Sequence, residues 1–196
     1  MLWRRGSKGV FVFTVMLYLM DDPEEFVSRY LELYSDTQGV LPERLEDFGE
    51  RYRNQGYLDR SQLYDLAYES SRRSAYHVER NPRERCRTVT SNLLELDDDF
   101  CRIALASSLK GFKAPTASCI LTALDPETQA VVDTRVWASL ERLGYLEGRK
   151  ESFDADDYCT MIDPIRGIAG ETSYTAAEVG YALFAHDYDV REGTLH

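Results

Sequence analysis

Lysine is nearly missing from this chain: four stand beside 19 arginines in 196 residues. Acidic side chains outnumber basic ones, 34 to 23, for a formal net charge of -11. Such an acidic chain is a poor indiscriminate binder of nucleic acid in dilute salt. Acidic, lysine-poor and arginine-rich composition points to a GC-rich or halophile-like, salt-adapted source. In strong salt, charge-driven DNA binding is weak for every protein, so the acidity weakens a nucleic-acid role without removing it.

Cysteine is also sparse and unpatterned. Cys86, Cys101, Cys119 and Cys159 are separated by 15, 18 and 40 residues. No CxxC occurs, which excludes a zinc ribbon, and the compact four-cysteine loop of an iron–sulfur site is absent. The expectation is reduced, buried thiols in a cytoplasmic protein. Three histidines, His77, His186 and His196, show no spacing that assembles a metal site. The chain has no G-x-S-x-G elbow, Walker loop or G-x-G-x-x-G turn, so no metal and no cofactor are expected. It has no internal repeat and no Gly/Ser or Pro-rich linker. The apolar run Val10–Leu19 is too short to cross a bilayer comfortably, and no small-residue cleavage site follows it. Residues 1–20 read as an N-terminal extension or an upstream false start, with Met16 or Met20 as the alternative start; the other reading is a terminal strand or helix on the body.

What is present is apolar mass, 43% hydrophobic and 12% aromatic, enough for one domain or two small lobes. The pattern is helical nearly throughout. Asp22-Pro23-Glu24-Glu25 starts a helix carrying Phe26, Tyr30, Leu31 and Tyr34. A second runs over Pro42–Gln55 and stops at Gly56. A third starts at Asp59, with Gln62 as its capping partner, and continues or restarts through Arg72–Arg80. Asn81-Pro82 breaks the chain and opens the next. Asp97-Asp98-Asp99 caps a helix with Ile103, Leu105 and Leu109. A turn at Lys110–Ala114 leads to a helix over Pro115–Leu124. Val131-Val132 reads as a short extended piece, Thr134–Leu143 as a helix ending at Gly144, and 145–153 as a loop. Short helices are expected at Asp154–Met161 and Pro164–Ile168, and a last one after the Thr175/Glu178 capping box. The fold class is all-α, with eight to ten helices over 21–196, a hairpin at 98–124 and a following helix at 134–143.

The informative segment is Leu109-Lys110-Gly111-Phe112-Lys113-Ala114-Pro115-Thr116-Ala117, closing at Leu121, followed by Val131-Val132-Asp133-Thr134-Arg135-Val136-Trp137. These residues resemble the helix-hairpin-helix DNA glycosylases of the endonuclease III type. That family carries L-P-G-V-G-x-x-T-A-x-x-x-L and, further on, V-D-T-x-V, whose aspartate is catalytic. Leu109, Gly111, Thr116, Ala117 and Leu121 match the first motif; Val132, Asp133, Thr134 and Val136 match the second. The match covers residues 98–145.

The resemblance implies a hairpin whose backbone amides approach a DNA phosphate, helped by the positive end of the next helix. Gly111, Lys110, Lys113 and Thr116 would then contact the backbone of double-stranded DNA. Asp133 would face a nucleotide extruded from the stack and act on its glycosidic bond. Two departures bear on activity. Lys113 stands where the family has a second glycine. Pro115 stands where bifunctional members carry a nucleophilic lysine, so the expected type is monofunctional, without strand cleavage. Arg72, Arg73, Tyr68, His77, Arg135 and Trp137 are candidate pocket residues.

Each of these residues also has a plainer reading. Asp133 is a good N-cap for the helix it precedes. Gly111 is an ordinary helix-ending glycine. Arg72-Arg73 with Tyr76 and His77 fits a solvated helix face, and Trp137 fits core packing. Two alternatives therefore stand beside the enzyme: a non-catalytic helix-hairpin-helix module binding nucleic acid or protein, and an acidic helical protein with a purely structural or regulatory role.

Overall fold

The computed structural model describes residues 22–38 and 41–193. Among these there are ten α-helices, one 3-10 turn and no strand. They are α1 (Pro23–Gln38), α2 (Leu41–Gln55), α3 (Arg60–Ser70), a single turn α4 (Arg72–Ala75), α5 (Arg83–Ser91), α6 (Asp99–Ser107), α7 (Ala114–Leu124), α8 (Thr134–Arg142), α9 (Ala155–Glu171) and α10 (Ala176–Gly193). The 3-10 turn is Val78–Arg80, between α4 and α5. The N-terminal extension or start at 1–20 lies outside the described residues.

Helix starts follow the polar signals in the sequence. Asp59 caps α3 in a full capping box with Gln62, Asp98 caps α6, and Asp133 caps α8. Thr175 and Glu178 exchange the bonds of a capping box at the start of α10. Each such cap satisfies amides that have no partner within the helix.

Helix α7 is the centre of the fold. From Thr116 to Leu124 every residue is buried, and α2, α3, α6 and α9 pack around it. Gly49 lets α2 come close: a Cβ there would stand 2.3 Å from the Ala123 carbonyl oxygen. Helices α1 and α10 pack against each other and bring the two ends of the described chain together. Glu24 fastens that contact by accepting from the backbone N–H and the hydroxyl of Ser173.

Two expectations need correction, the split of the helix after Asp154 and the burial of every thiol. Asp154–Met161 and Pro164–Ile168 are one helix, α9, with Pro164 inside it. Met161, Ile162, Ile165 and Ile168 on either side of the proline are all buried. That shared apolar face outweighs the ~3 kcal/mol that an internal proline costs. Of the two readings of Arg72–Arg80, the structure takes the restart, as one α-turn followed by the 3-10 turn. Val131 and Val132 lie in the connection between α7 and α8, outside any helix. The thiols are not all buried: Cys86 and Cys119 are, Cys159 is half-buried and Cys101 is exposed.

Candidate functional site

Helices α6 and α7 form the hairpin, joined by a turn whose shape rests on Gly111. Its φ is +95°, a backbone conformation that L side chains rarely adopt. A Cβ at Gly111 would also stand 2.9 Å from Val78 Cγ2 and 3.0 Å from the Ser74 carbonyl oxygen. The glycine is thus required by the docking of the turn onto residues 74–78. Asn81, itself buried, completes the docking through two bonds to the backbone of Lys110.

The hairpin opens onto a cleft of about 770 Å³. One wall is the 69–77 segment with the hairpin turn. Residues of α10 and α1, with Leu41 and the loop at 151–153, complete the lining. The segment Val131–Thr134 lines it as well. Two devices place that segment. Ser118 of α7 accepts the Val132 N–H at 3.1 Å and donates to the Pro115 carbonyl at 2.7 Å. Gly180 lets α10 approach: a Cβ there would meet Ala130 Cβ at 3.0 Å.

Asp133 is half-buried in this lining. Its Oδ1 accepts from the Arg135 N–H at 2.8 Å and the Val136 N–H at 2.9 Å. Among the described residues no donor reaches Oδ2. One oxygen therefore caps α8 while the other is left for the cleft. Desolvation pushes the carboxyl above the ordinary aspartate range, against the lowering effect of the two amide bonds and of the Arg135 cation. Tyr34 faces the same space, and burial holds its phenol far above the usual tyrosine value. Its ring stacks on Tyr181 at 5.0 Å, and Phe184 meets it edge-on at 5.6 Å.

The residues singled out in the sequence divide. Gly111, Lys113 and Thr116 line the cleft with Asp133, and Arg73 and His77 line it from the facing segment. The other four candidate pocket residues and Lys110 lie outside its lining. Arg135 is turned away: it pairs with the fully buried Asp187 and lies over the rings of Phe184 and Tyr188. Trp137 is buried, donates from Nε1 to the Gly148 carbonyl at 2.7 Å and backs Phe153, which is in the wall. Arg72 lies over the exposed ring of Tyr68 on the outer surface. Lys110 meets the rest of the protein through its backbone, and its side chain is exposed.

The sequence reading missed the aromatic wall of Tyr181, Phe184, Phe112 and Phe153, and the serine edge of Ser70, Ser71 and Ser74. At helical spacing the aromatics on α10 read only as core, so no local signal marks them. Among the described residues no group of three or more His, Cys, Asp or Glu side chains is placed to hold a metal ion. No described helix is long and apolar enough to cross a membrane.

No family model matches the chain, and no curated protein matches it. Among solved structures, it is similar to an 8-oxoguanine glycosylase/lyase from Methanocaldococcus jannaschii, determined in complex with a 15mer DNA containing 8-oxoguanine. The identity is 14%, the TM-score 0.48, and the match covers 95% of this chain and 92% of that one.

Proposed function

We propose that this protein is a monofunctional DNA N-glycosylase that hydrolyses a damaged or modified base from double-stranded DNA, with Asp133 as the catalytic carboxylate. The observation that carries the reading is the Asp133 side chain: Oδ1 is fixed by two helix amides, and Oδ2 meets no donor among the described residues, in a cleft shared with the hairpin. Lys113, the turn and the start of α7 would hold the DNA backbone, and an extruded nucleotide would enter the cleft. As the glycosidic bond breaks, its electron pair leaves with the base, and charge develops on the sugar. The Asp133 carboxylate stabilises that charge and takes a proton from the water that bonds to the anomeric carbon. Tyr34 and Tyr181 put aromatic rings in the cleft lining, the side-chain type on which bases stack.

The test is base release from a panel of duplexes carrying damaged or modified bases, at low and at molar salt. Wild type and Asp133→Asn are compared, with hot alkali to cut abasic sites. The expected result is alkali-dependent cleavage by wild type only. Lys113 places a primary amine in the same cleft, so a borohydride-trapped covalent complex lost in Lys113→Ala would replace the monofunctional reading with a lyase. DNA binding with no base release, unchanged by Asp133→Asn, would favour the non-catalytic module, in which Asp133 is a cap alone.

A further inference from the structure

Tyr76 is 52% exposed, more than any other large hydrophobic side chain among the described residues. It is not a loose tyrosine. Its ring centroid lies 3.9 Å from that of His77, at 34° between planes, and the Arg80 guanidinium lies over the ring, 5.4 Å from its centroid. His77 lines the cleft, so the pair runs from the cleft wall to the outer surface.

The segment that carries the pair is docked on the hairpin. The pair lies between Ser74 and Val78, the two residues that Gly111 packs against. Asn81 closes the far end onto Lys110. The charge here departs from that of the chain. Residues 72–83 hold four arginines and one glutamate, and the turn at 108–115 holds two lysines and no acid. The remaining acid on this edge of the cleft, Glu69, is paired with Arg44 at 3.3 Å. An exposed aromatic pair with Arg80 against it, and Arg73 and Lys113 in the adjoining cleft, fits a base flanked by phosphates once Arg80 swings from the ring to the backbone, because the ring then takes the base face.

We propose that Tyr76, backed by His77, is a stacking surface for an unpaired base of DNA at the mouth of the cleft, flanked by phosphate contacts from Arg73, Arg80 and Lys113. This rests on the DNA-acting reading above and adds what that reading lacks, a preference for duplexes with a base already out of its pair. Tyr76 contributes selectivity for the unpaired site, while the cations contribute affinity for any duplex.

The experiment uses the full chain and two duplexes of one sequence. One is fully paired; the other places 2-aminopurine opposite a tetrahydrofuran abasic-site analogue. Affinity and 2-aminopurine fluorescence are measured for wild type, Tyr76→Phe, Tyr76→Ser and Lys113→Ala. Tyr76 is on the surface, so matched melting temperatures check that the variants fold. Wild type and Tyr76→Phe should prefer the unpaired duplex and quench its fluorescence. Tyr76→Ser should lose about 5- to 150-fold of that preference, the equivalent of ~1–3 kcal/mol per stacked base, with paired-duplex affinity unchanged. Lys113→Ala should weaken both duplexes alike. Equal weakening of both duplexes by Tyr76→Ser, or quenching that survives it, would overturn the stacking role while leaving the glycosylase reading intact. Failure of wild type to bind either duplex at low salt would overturn both.

Discussion

Asn81 holds the backbone of Lys110 from both sides: its Nδ2 donates to the Lys110 carbonyl and its Oδ1 accepts the Lys110 N–H, each at 2.9 Å. A single buried amide thus fixes the hairpin turn against the segment that carries Tyr76 and His77. Asn81→Ala removes both bonds and should cost about 2–3 kcal/mol. The measurement is denaturant unfolding together with DNA affinity. Asn81→Asp keeps one partner of the pair, so it should fall between wild type and alanine. An alanine variant as stable as wild type would show that the turn is held by packing alone.

Gly111→Ala meets two penalties at once, a left-handed backbone and a Cβ pressed on Val78 and Ser74. About 2–3 kcal/mol is expected from the two together. Hydrogen exchange should localise the loss to 74–81 and 108–113. Because the requirement is internal, the loss should appear without DNA present.

Asp133 allows cap and chemistry to be separated. Asparagine caps as well as aspartate, so Asp133→Asn should keep the fold. Asp133→Ala should lose ~1 kcal/mol of cap, a fall of roughly 2–4 °C in melting temperature for a chain of this size. Base release should be lost in both. Desolvation raises the Asp133 pKa in the folded state, so ionisation there opposes folding. The penalty is absent below the ordinary aspartate range and fully present above the raised value. Asp133→Asn should therefore match wild type in acid and equal or exceed it at neutral pH.

The same shift sets the pH dependence of the proposed reaction. Activity needs the carboxylate, so base release should rise through the raised pKa and level off above it. Arg135 lowers that pKa through its charge, while Asp187 raises it. Arg135→Gln keeps the amide that bonds Asp133 and removes the cation. Its acid limb should move to higher pH, with the plateau rate little changed. A limb that stays in place would show that Arg135 serves only its ion pair with Asp187.

Asp187 is fully buried beneath Arg135, Arg142 and Arg191. Asp187→Asn leaves three half-exposed cations around a neutral amide. A cost of about 2–4 kcal/mol is expected, reduced from that of a fully buried pair because the arginines reach water. Thermal melts should show the loss at low salt and part of its recovery at high salt.

The caps at Asp59, Asp98, Asp133 and Thr175, the hairpin around Gly111 and the all-helical class were legible in the chain, because each depends on residues three or four apart. The same local logic failed at Pro164, where burial of Ile162, Ile165 and Ile168 keeps one helix running through a residue that ordinarily ends it. The sequence motif brought out Asp133 and the turn, but not that Oδ1 and Oδ2 have different surroundings. That difference depends on Ser118 holding Val132, and on Gly180 admitting α10. Likewise Tyr34 and Tyr181, at opposite ends of the chain, show nothing in sequence beyond helical spacing. Local hydrogen bonds and apolar periodicity, which the sequence determines, built the helices. The cleft came from long-range packing, in which close glycine contacts and single buried polar bonds decide which faces meet.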